Sequence, residues 1–453
     1  MIKKMSKWLV WTGAGCALVL LPNVQFVFAQ DTSVRDLVGA YNTSGQQLFK
    51  RFAASRGNIV FSPYSIGTVM AMALSGARGE TAAEMAGVLK QRLPREQMDA
   101  ANASLLMVLK SYDKSAVTPT CLESMRWTGL RCESAPTATG TCPSSARLVG
   151  DHCEANPISR EPSAQLRMAN ALVQSKARRM VAEDYRTLLA AKYAAEAFEA
   201  AGVNEVNDWV KRKTEGKIDK IIDQLPDVVL LNAIYFKARW QLTFNKDLTG
   251  PKPFNLSSSR KVMVPTMANT DQFSVVVRPG YRAIQLPYEV SELSMIIVLP
   301  NELNGVERIG NKIDAKELSQ LLQALRAVPS KLVQLELPRF KVSYDPGDLT
   351  SVFQHAGMRR AFDRNKADFS GITGHPASEL PLWIEVIRHR AVIEVMEDGT
   401  EAAAVTALGI KAASIQLQPP KPEPFRVDHP FLFYIMDDAT GAVLFQGRVT
   451  DPQ

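Results

Sequence analysis

The 453-residue chain reads as an α+β protein, with helices concentrated early and strands late. Three observations carry that reading. Apolar residues recur at helical spacing as far as Ile222, and short strand-like runs dominate after it. One run, Val228–Phe236 (VVLLNAIYF), is nearly continuous in apolar residues, which suits a central strand covered on both faces. Finally, 46% hydrophobic and 22% charged residues supply the core of a large globular unit and exclude general disorder.

The elements follow in order. Val34–Arg51 sets Leu37, Val38, Tyr41, Leu48 and Phe49 on one helical face. Ser62-Pro63 supplies a cap and a first-turn proline, and Ile66–Leu74 is apolar nearly all round, which predicts a buried helix. Gly79–Leu89, Glu96–Leu109 and Val181–Tyr193 read as helices, and Asn204–Ile222 as a long amphipathic one. After Val228–Phe236, strands are expected at Ala283–Leu286, Leu293–Leu299, Leu332–Leu337, Ala391–Val395, Phe431–Met436 and Gly441–Gly447. There is no internal repeat.

Residues 1–29 have the order of a secretory signal peptide: basic Met1–Lys7, apolar Trp8–Leu21, and small residues around Val27-Phe28-Ala29. A membrane anchor fits less well, because Thr12, Pro22, Asn23 and Gln25 interrupt the apolar stretch. Lipidation at Cys16 fits less well too, with Gly13 where a bulky aliphatic residue belongs. The mature domain is therefore expected to be 30–453, secreted to an extracellular or periplasmic space, and off the membrane. The formal charge is +7, and removing Lys3, Lys4 and Lys7 with the leader leaves +4. The remaining basic residues form no stripe, so no nucleic-acid partner is expected.

Four of the five cysteines, Cys121, Cys132, Cys142 and Cys153, lie at spacings of 11, 10 and 11. Clustered even cysteines in an exported chain read as two disulfides, with three connectivities open. A zinc site would need paired CxxC spacing, which is absent. The surroundings are rich in Thr, Ser, Pro and Gly, so Asp113–Ser163 reads as a stapled insertion in a larger domain.

The five histidines, His152, His355, His375, His389 and His429, show no HExxH spacing, and no GxSxG, Walker or GxGxxG motif occurs. No catalytic role, metal or cofactor is expected. His389 lies in a strand-like run and reads as a hydrogen-bonded core histidine, with Ser62, Ser65 and Asn232 as candidate partners.

Glu397–Ser414 (EDGTEAAAVTALGIKAAS) is compatible with more than one structure. Ala content favours a helix. Read by alternate residues, Thr400, Ala402, Ala404, Thr406, Leu408, Ile410 and Ala412 form a small-to-apolar face, and Glu401 and Lys411 fall on the other. Gly399 before it and Pro419, Pro420, Pro422 and Pro424 after it suit a loop. Such a segment is suited to switching conformation.

Nine segments, in order, give the chain a resemblance to the serpin family over nearly all of its mature length. They are NIVFSPYSI (Asn58–Ile66), LSGARGET (Leu74–Thr81), NDWVKRKTEGKI (Asn207–Ile218), LLNAIYFKARW (Leu230–Trp240), VPTM (Val264–Met267), LELPRFKV (Leu335–Val342), ADFSGI (Ala367–Ile372), HRAVIEVMEDGTEAAA (His389–Ala404) and DHPFLFYI (Asp428–Ile435). The resemblance implies about nine helices around three β-sheets, with an exposed reactive-centre loop over 397–424. It implies a monomeric inhibitor that a serine protease cleaves once. The loop then inserts into the central sheet and the acyl-enzyme is held as a covalent 1:1 complex.

By position, Ser62, Ser65, Asn232 and His389 match the shutter beneath the strands that part. Trp240 and Arg339 match the breach, where insertion begins. Glu397, Gly399, Thr400, Glu401, Ala402, Ala403 and Ala404 match the hinge, and their small residues fit the inhibitory pattern. Family spacing from Glu397 puts the reactive bond at Ala413–Ser414, with Lys411 as runner-up. Ala413 suits an elastase-like or subtilisin-like protease, and Lys411 a trypsin-like one. The alternative is a non-inhibitory serpin acting as carrier, chaperone or binding module.

Overall fold

The computed structural model describes residues 32–112, 126–127, 132–134, 147–149, 152–155, 164–176, 180–400 and 421–453. Among them are ten α-helical segments, two 3-10 turns and nineteen strands, an α+β arrangement.

The central sheet has six strands, in the order Phe340–Tyr344, Val386–Met396, Gly399–Thr400, Val228–Arg239, Ala164–Ser175 and Glu196–Ala200. Strand Val228–Arg239 lies in its middle. Leu230, Ile234, Phe236 and Ala238 belong to the main core, while Val229, Leu231 and Ala233 join a second cluster with Trp209, Val210, Ile221 and Ile222. Each face is covered, which accounts for the unbroken apolar run.

Beneath the sheet lies helix Pro63–Gly76, buried along its whole length. Ser62 caps it by accepting from the Ser65 N–H at 2.9 Å, and Pro63 fills a first-turn position whose N–H has no helical partner. The expected second and third sheets are joined through one strand. Lys261–Arg278, 18 residues long, pairs with Tyr281–Pro287 at its far end and with Lys331–Pro338 and Gly250–Asn255 along the rest.

Helix Thr32–Phe52 and helices Gly79–Leu89, Arg95–Ser111 and Glu183–Tyr193 stand where periodicity expected them. The long helix over Asn204–Ile222 does not form. The helix is Val203–Lys213, and the chain then turns through Glu215 (φ 52°) and Gly216 (φ 78°). Ile218, Ile221 and Ile222 are buried from non-helical backbone in the same cluster as Val206 and Val210. Their spacing imitated one more helical stretch because they cover the same patch of sheet.

Within Asp113–Ser163 the described strands form a four-stranded antiparallel sheet, with Cys132 opposite Ala155 and Ser134 opposite Cys153. Cys121 and Cys142 lie outside the described residues, as do the leader and positions 401–420. The chain leaves for the insertion at Tyr112 and rejoins the central sheet at Ala164. Those two residues line one small cavity with Leu109, Leu166, Phe236, Leu293 and Leu444. The insertion thus departs and returns at one spot. No helix among the described residues is long and apolar enough to cross a membrane.

Candidate functional site

Two levels of the central sheet bring the singled-out residues together. At the lower level, Asn170, Asn232 and His389 lie directly opposite one another on three adjacent strands. All three are buried, and Ser62 and Ser65 approach from the helix start below. The Asn232 amide donates to the Ser65 hydroxyl and to Asn170 Oδ1, the latter at 2.5 Å. Its Oδ1 accepts from His389 Nδ1 at 2.5 Å, and His389 Nε2 accepts from the Ser62 N–H at 3.4 Å. With one ring nitrogen donating and the other accepting, the imidazole is neutral. Burial pushes its pKa from the usual 6.5 down to about 3.

At the upper level the sheet forks. Val386–Val392 pairs in parallel with Val229–Tyr235 through seven residue pairs. Above that, Gly399–Thr400 lies between the same two strands. Gly399 stands opposite Arg239 and Met396, and Thr400 opposite Ala238 and Val395. Gly399 has φ 155°, and a Cβ there would fall 2.0 Å from the Ala238 carbonyl oxygen. Only glycine allows the chain to squeeze into the fork at this point.

The fork is held from several sides. The Trp240 indole donates to the Met396 carbonyl at 2.9 Å, and the Trp240 N–H to the Asp398 carbonyl at 3.0 Å. Trp240 stacks on Tyr288 with centroids 4.5 Å apart and planes 8° from parallel. Glu397 has a side chain only 3% exposed. It accepts from Arg339 Nε at 2.7 Å and from the Thr249 hydroxyl at 2.6 Å. Burial opposes its ionisation, but Arg339 and Thr249 outweigh burial and hold the carboxyl below its ordinary range. Lys246 pairs with Asp398 at 2.8 Å.

The structure therefore gathers Ser62, Ser65, Asn232 and His389 in one buried network, and Trp240, Arg339, Glu397, Gly399 and Thr400 around the fork. Glu401, Ala402, Ala403, Ala404, Ala413 and Ser414 lie outside the described residues. Sequence reasoning missed Asn170, Tyr288 and Thr249. Asn170 carried a signal: it sits in MANAL as Asn232 sits in LLNAI, a lone amide between apolar residues. Tyr288 and Thr249 carried none, because only the tertiary fold brings them to Thr400 and Glu397.

The family model described as "Serpin (serine protease inhibitor)" matches residues 40–452. An uncharacterized serpin-like protein of Thermococcus kodakarensis is 32% identical over 445 residues, covering 96% of this chain and 90% of that protein. Human Serpin B10 is 31% identical over 437 residues, covering 92% and 99%. Horse leukocyte elastase inhibitor is 34% identical over 304 residues, covering 63% and 78%. Among solved structures, Serpin48 of the insect Tenebrio molitor superposes with a TM-score of 0.70 at 26% identity, covering 94% of this chain and all of that one. On the matched sequence and the shared fold, the chain belongs to the serpin family.

Proposed function

We propose that this serpin is a secreted inhibitor of serine proteases, that it works by loop cleavage and insertion, and that it is not an enzyme. The fork in the central sheet carries the reading. Two residues from the start of the expected loop already lie between strands that pair with each other directly below. A longer insertion would extend the same antiparallel register downward and replace the seven parallel pairs with two ladders. The small Thr and Ala side chains from Thr400 to Ala404 suit burial in that slot. A bulky or charged residue there would stall the advance.

The reactive bond is proposed at Ala413–Ser414, and a small Ala there favours a protease with a shallow specificity pocket. The horse relative is a leukocyte elastase inhibitor by name, which points to the same class. The partner is one protease held as an acyl-enzyme by one inhibitor molecule.

The test is incubation with elastase, subtilisin and trypsin, followed by denaturing electrophoresis and mass spectrometry of the loop. A band of summed mass with cleavage after Ala413 is the expected result. Cleavage without any stable complex across the panel overturns the inhibitory reading and leaves the carrier or chaperone alternative.

A further inference from the structure

Tyr288 follows directly on strand Tyr281–Pro287 and is bridged, antiparallel, to Trp240 beside the fork. Its ring is fixed on two sides, stacked on Trp240 at 4.5 Å and edge-on to Phe236 at 5.4 Å with planes 76° apart. It is fully buried, as is Thr400. Tyr288 Oη and Thr400 Oγ1 are 2.7 Å apart. Burial pushes the Tyr288 phenol up, so it keeps its proton and stays available for this bond. Among the described residues this is the one side-chain hydrogen bond to Thr400. Breaking it would strand two hydroxyls away from water.

We propose that Tyr288 is a positioning residue for the reactive loop. Its hydroxyl latches Thr400 into the top of the central sheet while the loop is uncleaved, and this limits how far the loop extends to meet a protease. The proposal rests on the inhibitory reading of that loop. Insertion in the register of Gly399 and Thr400 leaves Thr400 where it is, so the bond persists afterwards. The latch therefore stabilises uncleaved and inserted forms alike. It penalises only the intermediate in which the first loop residues have left the sheet.

Tyr288→Phe removes the hydroxyl and keeps both ring contacts. Three readouts separate a latch from a general packing role. Amide hydrogen exchange at Gly399 and Thr400 should rise about five- to tenfold, the range one buried hydrogen bond supplies, while Val386–Val392 stays protected. First cleavage of the loop by limiting subtilisin should accelerate by a similar factor. The gap in melting temperature between cleaved and intact protein should not move. Thr400→Val should give the same shifts, and the double variant no further change.

Unchanged exchange and cleavage in both variants overturns the latch. Equal loosening of Val386–Val392 also overturns it, because Tyr288 would then be packing alone. Neither readout needs a trapped complex. If exchange and cleavage respond but no protease is ever trapped, the latch stands and the inhibitory reading fails.

Discussion

Asn232 and His389 face one another across the closed part of the central sheet, in register and joined by a 2.5 Å hydrogen bond. The imidazole holds its place as a neutral ring, accepting from Ser62 and donating to Asn232. Protonating Nε2 would turn two donors on each other in a buried site.

That arrangement predicts acid sensitivity with a definite sign. The folded pKa is about 3, against an unfolded value of about 6.5. Below pH 6.5 the unfolded chain binds a proton that the folded chain refuses, so this contribution to stability is present above 6.5 and is lost as pH falls toward 3. Between pH 7 and pH 5 the loss should be about 2 kcal/mol, measured by urea unfolding against His389→Gln, which cannot titrate. Identical pH profiles for the two proteins would show that His389 titrates normally.

The register of Gly399–Thr400 makes a second prediction. Thr400 stands opposite Ala238 on one side and Val395 on the other. Counting six residues along from each pairing sets Thr406 opposite Asn232 and His389 together. On insertion its hydroxyl would come between the two groups that now bond each other. Thr406→Val should leave the intact protein unchanged and destabilise the cleaved form by about 1–3 kcal/mol, the cost of stranding buried polar groups. Equal melting of cleaved variant and cleaved parent would place another residue at that level.

Thr400 also defines the cost of charge at the fork. On the proposed inhibitory reading, Thr400→Arg should turn inhibitor into substrate: the guanidinium would leave the sheet in the uncleaved protein, and insertion would then have to bury it unpaired at a cost of several kcal/mol. Each ~1.4 kcal/mol on the insertion barrier slows it about tenfold against hydrolysis of the acyl-enzyme. Glu401→Arg, on the opposite alternate set, is the control. The measurement is inhibitor consumed per protease trapped, and an equal rise in both variants contradicts the facing assigned to the loop.

The insertion should be separable. Tyr112 and Ala164 border the same cavity, so a short Gly/Ser linker can replace Asp113–Ser163. The shortened protein is expected to fold and to inhibit as the parent does. In the parent, mass mapping should find Cys121, Cys132, Cys142 and Cys153 in two bridges within the insertion. Free thiols, or failure of the shortened chain to fold, would make the insertion something other than a stapled appendage.

What could be read in advance was what local sequence encodes. The cap at Ser62, the two-faced burial of Val228–Arg239 and the mixed fold class are written in residue type and spacing. The strands Ala164–Ser175 and Lys261–Arg278 escaped notice, because half-buried strands interrupted by Arg, Asn, Pro and Gln lose the clean alternation. Tyr288 escaped for a different reason. Its importance lies in a contact 112 residues away in sequence. The Ser–Asn–His set was legible as buried polar groups in need of partners, whereas Trp240 and Arg339 came only from position-by-position resemblance.

Insertion of the loop is the central claim, and comparing the heat stability of intact and loop-cleaved protein tests it most directly. Nicking near Ala413 frees the segment beyond Thr400 to run down between Val228–Arg239 and Val386–Met396. It would exchange one parallel pairing for two antiparallel ladders and bury the rest of the alternate set, which Thr400 already begins. The cleaved form should melt far above the intact one. Coincident melting curves would mean that the loop stays outside the sheet after cleavage.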